Sequence, residues 1–269
     1  MKKIYSLVHL TDIHCPPPDF IRAAAQAGYD AVSLRTIPLG LPGESRFDIA
    51  ADRALLRETR RAMEETGLYV NDVENARIAE GLDVRAHEPG LCAAAELGVK
   101  HIQCNVYSGE PGFYTEQLAR LCELADTYGQ TVEVEFVAWA KVADLAQALQ
   151  MIRAAGRPDA GIVVDALHYS RSRVRFEEIE ALPKTMFRIV HLCDAGAEIP
   201  TDRAGLIHTG RDARLYPGEG AIDFAPVLAG LPEAVRGVEV PNLVRLKQLG
   251  LVEHARRALE SARRQDSPA

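Results

Sequence analysis

A chain of 269 residues, 47% apolar and 26% charged, can bury a core without disulfide or metal staples, and it suits one α/β barrel as well as two smaller domains. A net charge of −7 provides no cationic cluster to release counterions from phosphates, which excludes nucleic acid and anionic membranes as general partners. No run reaches the roughly 18 apolar residues of a membrane span, and five cysteines without CxxC spacing read as reduced core thiols of a cytoplasmic protein.

Met1-Lys2-Lys3 and the short run after it lack the length and cleavage site of a signal peptide, so residues 4–9 are expected to form the first strand. Further strands are expected at 31–35, 69–74, 101–107, 131–137, 161–167, 188–193 and 237–240, where short β-branched runs recur. Helices are expected between them at 19–27, 50–66, 85–97, 115–128 and 142–155, with a closing helix at 242–263. Gly28, Gly67, Gly98, Gly129 and Gly156 stand where helices would end in a left-handed cap, and Gln265 to Ala269 read as a frayed tail. The first strand is followed by Thr11-Asp-Ile-His-Cys-Pro-Pro-Pro18 rather than a glycine-rich phosphate loop, which disfavours an open doubly wound sheet. The expectation is a single-domain (β/α)8 TIM barrel over residues 1–269.

Functional side chains of such a barrel project from the carboxyl ends of its strands. Strand five reads Thr131-Val-Glu-Val-Glu-Phe136, strand six ends on Asp165 with His168 three positions on, strand seven holds His191 and strand eight Glu239. Glu133 and Glu135 share a face by the period of two, and Glu135 lies nearer the catalytic end. Any one of these residues alone is more simply a turn cap or a satisfied core group. Three carboxylates converging with an imidazole are another matter, because burying them together without a cation is opposed by desolvation and mutual repulsion. Glu135, Asp165, His191 and Glu239 therefore form a candidate metal site, oxygen-rich enough to suit Mn2+ or Mg2+, with Zn2+ or Co2+ as alternatives.

This ordered quartet resembles the sugar isomerase and epimerase superfamily with the xylose-isomerase-like TIM barrel, which includes ketose 3-epimerases, hydroxypyruvate isomerase, inosose dehydratase and 3-dehydroshikimate dehydratase. The resemblance extends to Asp165-Ala-Leu-His168 on strand six and to Arg214-Leu-Tyr-Pro-Gly-Glu-Gly220. A departure is the long segment from Asp194 to Tyr216, which offers Arg203, His208, Arg211 and Arg214; Arg214 matches the motif best. The resemblance implies a divalent-metal isomerase or epimerase acting through an enediolate, with Glu135 and Glu239 as acid/base pair. It also implies a homodimer or homotetramer. His168 and Arg214 would contact a sugar or keto-polyol substrate, with His9, Arg35, Glu74 and Asn105 as further contacts from strand ends, although Arg35 and Glu74 could equally pair with each other. Trp139, the one tryptophan, either shapes the pocket or packs on a helix. The alternative is a metal-dependent lyase that dehydrates a keto-polyol or dehydroshikimate-like acid, with His168 protonating the departing hydroxyl. An endonuclease-IV-like repair enzyme is disfavoured by the net charge and by only eight histidines, and a non-catalytic sugar-binding relative by the retention of both glutamates.

Overall fold

Short strands whose side chains are almost all buried need cover on both faces, and helices supply it on the outside. The computed structural model describes residues 2–38, 45 and 47–266. Its strands are β1 (Tyr5–Val8), β2 (Ala31–Arg35), β3 (Tyr69–Glu74), β4 (His101–Cys104), β5 (Thr131–Glu135), β6 (Gly161–Asp165), β7 (Ile189–Leu192) and β8 (Val235–Val238). They pair in parallel in chain order and close when Ser6 of β1 meets Gly237 of β8, giving the expected eight-stranded barrel. Apolar faces of the surrounding helices, carrying Ile21, Leu56, Leu91, Leu121, Ile152 and Leu259, are buried in one continuous core.

The helices are α1 (Pro17–Ala27), α2 (Arg53–Thr66), α3 (Glu88–Glu96), α4 (Pro111–Thr127), α5 (Leu145–Ala154), α6 (Ala166–Arg171), α7 (Phe176–Glu180), α8 (Arg203–Asp212), α9 (Ala225–Gly230), α10 (Leu243–Leu249) and α11 (Leu251–Gln265). The five expected cap glycines all have positive φ. Among the described residues, no helix is long and apolar enough to cross a membrane.

Several boundaries differ from the sequence expectation. The strand expected to run to residue 167 stops at Asp165, because the Asp165 carboxylate accepts the backbone N–H of His168 at 3.0 Å and starts α6. His168 therefore sits in the first turn of a helix rather than on the strand. The closing helix expected at 242–263 is two, broken at Gly250 with φ of 72°. The segment from Asp194 to Tyr216 contains α8, capped by Asp202, whose side chain accepts from Gly205 N at 2.8 Å. Cys92 is exposed, against the reading of the thiols as core residues, whereas Cys104, Cys122 and Cys193 are buried. Of the tail expected to fray, Gln265 ends α11 and Asp266 is buried, while 267–269 lie outside the described residues.

Two inward-facing glycines make room for polar side chains inside the barrel. A Cβ on Gly161 would lie 1.7 Å from Glu133 Oε2, and one on Gly237 would lie 2.5 Å from His191 Cδ2. The barrel interior is thereby wide enough to hold a carboxylate and an imidazole where aliphatic layers would otherwise interdigitate.

Candidate metal centre

Period-two alternation on β3, β4 and β5 sends two tiers of polar residues into the barrel. The lower tier is Asp72, Gln103 and Glu133, and the upper is Glu74, Asn105 and Glu135, with Asn105 just past the end of β4 and all six buried. Glu133 stays below the mouth, held by Arg188 at 3.0 and 3.1 Å and by Thr131 at 2.7 Å, so the two strand-five glutamates have different surroundings.

Above them, one ligand atom each from Glu135, Asp165, His191 and Glu239 lies within 4.8 Å of every other. His191 Nδ1 is buried without a hydrogen-bond partner and faces Glu135 Oε1 at 3.6 Å, Glu239 Oε2 at 3.7 Å and Asp165 Oδ2 at 3.9 Å. Those separations are too long for hydrogen bonds and suit oxygen and nitrogen donors arranged around a common divalent ion about 2.0–2.2 Å from each. Arg214, also buried, donates from the same Nη1 to Asp165 Oδ2 at 2.6 Å and lies 2.8 Å from Glu239 Oε2. Three carboxylates against one guanidinium leave two negative charges, the complement of a divalent cation. The donor set and its charge therefore fit a metal.

The charged groups of the cluster shift one another. Burial opposes the charged forms throughout, yet Glu135 and Glu239 raise the His191 imidazolium well above its ordinary value. Burial likewise works against Glu239, but Arg214 and His191 hold its carboxyl far below the usual range. Burial pushes Glu74 up to about 7 against the pull of Arg35. His168 is lowered, chiefly by burial and despite the nearby Asp165 and Glu135.

The other expected contacts divide. Asn105 Nδ2 donates to Glu135 Oε2 at 2.7 Å, fixing that carboxylate. Arg35 and Glu74 pair, with Nε donating to Oε2 at 3.0 Å, and Glu74 Oε1 is left buried without a partner. His168, Arg35, Glu74, Asn105 and Arg214 line one cavity with Glu135 and Glu239. His9 does not line it. Its Nδ1 accepts from Arg35 N at 2.9 Å and its Nε2 bonds Cys15 O at 2.8 Å, so this ring holds backbone in place rather than facing a substrate. Trp139 lines the cavity and meets His168 edge-on at 4.8 Å between centroids. The Ala138 N–H approaches His168 Nδ1 at 3.4 Å, which leaves Nε2 as the donor of the neutral ring.

Three groups escaped the sequence reading. Gln103 Nε2 donates to Asp72 Oδ2 at 2.6 Å and lies 3.3 Å from His191 Nε2, so both residues stand behind the histidine ring. The period-two rule that selected Glu135 would have found both, since Asp72 and Gln103 stand two residues before Glu74 and Asn105. The third is Asp194, whose carboxylate accepts from the amides of Ala195 at 2.8 Å, Gly218 and Gly220 at 2.9 Å and Ile222 at 3.0 Å. Nothing in the sequence pairs Asp194 with a glycine turn more than twenty residues away.

Comparison with known proteins adds relatives to this geometry. A family model described as xylose isomerase-like TIM barrel matches residues 21–261. The chain is 26% identical to 3-dehydroshikimate dehydratase of Pseudomonas aeruginosa over 225 residues, which are 79% of this chain and 33% of that protein. It is 28% identical to inosose isomerase of Bacillus velezensis over 120 residues, 44% of this chain and 41% of that one. The chain thus spans less than half the length of these curated relatives. A solved structure described as the IOLI protein with a binding zinc atom has the same fold, with a TM-score of 0.80 at 19% identity and 98% of both chains covered.

Proposed function

Because the chain belongs to the xylose isomerase-like TIM-barrel family, we propose that it is a divalent-metal-dependent isomerase or epimerase of a hydroxy-carbonyl substrate. The observation that carries this reading is the buried, unpartnered Nδ1 of His191 facing three carboxylates whose charge exceeds that of Arg214 by two. Inosose isomerase among the relatives supports the reaction class, and the zinc in the IOLI structure supports a divalent ion. When bound by Glu135, Asp165, His191 and Glu239, such an ion supplies electrostatic stabilisation of negative charge on two adjacent substrate oxygens.

The chain's own groups then move the proton. Glu135 and Glu239 reach the cavity from different strands, so one removes the proton beside the carbonyl and the other returns a proton to the resulting enediolate. Asn105 fixes Glu135 and Arg214 fixes Glu239, which keeps both carboxylates oriented when a substrate enters. His168 donates from Nε2 to a substrate oxygen, and Trp139 beside it helps exclude water.

A second reading, a dehydratase using the same enolate, is favoured by the relative whose match extends over 79% of this chain. Incubating the Mn2+-loaded protein with ketoses, inososes and 3-dehydroshikimate in D2O separates the two. Deuterium in recovered substrate supports the isomerase, and loss of water with a new ultraviolet absorbance, that of a conjugated enone or enolised dione from an inosose or ketose and of an aromatic catechol from 3-dehydroshikimate, supports the dehydratase. Glu135→Gln and Glu239→Gln should each abolish whichever signal appears. A protein that shows neither signal and whose melting temperature does not rise with Mn2+ or Zn2+ refutes the metal-dependent reading.

A further inference from the structure

Glu239 and Arg214 come from separate segments of the chain, and the 2.8 Å between Glu239 Oε2 and Arg214 Nη1 depends on how those segments are held. Behind the pair stands His254, near the start of α11 and fully buried, which the proposed mechanism does not use. Its Nε2 donates to the carbonyl oxygen of Val240, the residue after Glu239, at 2.8 Å. Its Nδ1 bonds the hydroxyl of Tyr216, two residues after Arg214, at 2.9 Å. A carbonyl only accepts, so Nε2 carries the proton, Nδ1 of the neutral ring accepts and the phenol donates. Burial lowers His254 despite its bond to Val240 and favours that neutral form. The same junction carries two further bonds, Arg214 N to Pro241 O at 3.0 Å and Asn242 Nδ2 to Arg214 O at 2.9 Å. His254 and Ser261, whose hydroxyl donates to Pro217 O at 2.8 Å, tie it to α11.

Resting on the reading that Glu239 serves the metal cluster and the acid/base pair, we propose that His254 is a positioning residue for it. Together with Tyr216 it sets the separation of the Glu239 carboxylate and the Arg214 guanidinium, which makes the closing helix of the barrel part of the site. Buried hydrogen bonds are directional, so a ring that donates to one segment and accepts from the other passes a shift of either to its neighbour. Deleting one of the two bonds leaves a buried polar atom without a partner and lets the segments drift. A residue that only anchored α11 would behave differently: losing its bonds would loosen the helix and leave Glu239 and Arg214 in place.

Two substitutions cut the bridge at the same bond. Tyr216→Phe keeps the ring that lies 4.3 Å from the Arg245 guanidinium and removes only the hydroxyl. His254→Gln keeps a donor in place of Nε2 and removes the acceptor at Nδ1. The control is Tyr29→Phe, which deletes a buried hydroxyl bonded at 3.0 Å to Ala255 O on the same helix. Hydrogen exchange is followed in the metal-free proteins, and Mn2+ affinity is measured by calorimetry. Tyr216→Phe and His254→Gln should each speed exchange of the Arg214 and Glu239 amides about tenfold and weaken Mn2+ binding about tenfold, and the double variant should be no worse than either. Tyr29→Phe should lower the melting temperature and leave both readouts at their wild-type values. Should His254→Gln not fold, Tyr216→Phe carries the test alone. Exchange that is unchanged at Arg214 and Glu239, or faster only within α11, overturns the proposal. So do additive effects of the two substitutions, and so does wild-type Mn2+ affinity in Tyr216→Phe. A wild type that binds no Mn2+ refutes the metal-dependent reading, whereas the exchange measurement, made without metal, still decides whether the bridge holds the two segments.

Discussion

Gln103 illustrates how much of a candidate metal centre lies in residues outside the proposed ligand set. Its amide nitrogen donates to Asp72, which is also bonded by Asn71 Nδ2 at 2.8 Å and by the Ser33 hydroxyl, and packs 3.3 Å from Nε2 on the far side of the His191 ring, so that its bulk holds the ring in place. Groups that orient a ligating histidine typically contribute 10–100-fold in metal affinity. Gln103→Ala should therefore weaken Mn2+ binding by about that factor, measured by calorimetry, with little change in the far-UV spectrum; unchanged affinity would remove Gln103 from this role. The neighbouring constraint is Gly237, where a methyl group would strike the imidazole. Gly237→Ala should cost about 1–3 kcal/mol in overpacking and displace His191. Its melting temperature should respond less to added metal than that of the wild type. At this scale the sequence was legible for Glu135 and Asp165, each the last residue of its strand, for His191, one residue before the end of β7, and for Glu239, one residue past β8. It was misleading for His9, whose strand-end position hides a ring occupied on both nitrogens by backbone.

At the scale of elements, Asp165-Ala-Leu-His168 has a local physical explanation. Asp165 closes β6, caps α6 with Oδ1 and turns Oδ2 toward Arg214 and the cluster, so the three-residue spacing is that of a helix cap and its third residue. The capping bond is the reason His168 lines the cavity from a helix rather than a strand. Asp194 does the equivalent for the Pro217 to Gly220 turn, taking four backbone amides on one carboxylate. Its backbone also pairs with Leu215, the residue after Arg214, at 2.9 and 2.8 Å. Asp194→Ala should destabilise the protein by about 3 kcal/mol, the upper end for a charged acceptor. Hydrogen exchange at Gly218, Gly220 and Ile222 should accelerate while amides of β3 to β5 keep their protection; a uniform change across the barrel would contradict the local role. Helix α8 was not legible, because residues 203–212 have a weak apolar pattern and only their packing under Trp139 and beside Arg214 places them.

At the scale of the whole molecule, the barrel closes where β8 returns to β1, and Asp266 clasps that seam. Its carboxylate accepts from Arg236 of β8 at 3.0 Å, from Tyr5 of β1 at 3.0 Å and from Lys3 at 2.9 Å, and Arg236 is itself fully buried. Burial pushes the Asp266 carboxyl up, but the bonds from Arg236 and Lys3 overcome this and hold it below its ordinary value. A depressed carboxyl contributes stability that is fully present above its unfolded value of about 3.9 and is lost as pH falls through the folded value. Asp266→Ala should cost about 3–5 kcal/mol by leaving Arg236 buried without its counter-charge. Asp266→Asn should flatten the loss of stability in acid, and urea titrations from pH 5 down to pH 2 would check both; wild-type stability in Asp266→Ala would refute the clasp. What the sequence by itself determined was the alternation of strands and helices, the barrel, and the four residues of the cluster, because each depends on a local period or on position at a strand end. What only the tertiary structure decided was which groups are already partnered. Arg214 is spent on Asp165 and Glu239, Arg35 on Glu74 and Asp266 on Arg236, whereas Arg211 is left facing the cavity. Pairing between side chains distant in the chain follows from barrel closure and three-dimensional proximity, and no local pattern of residues encodes it.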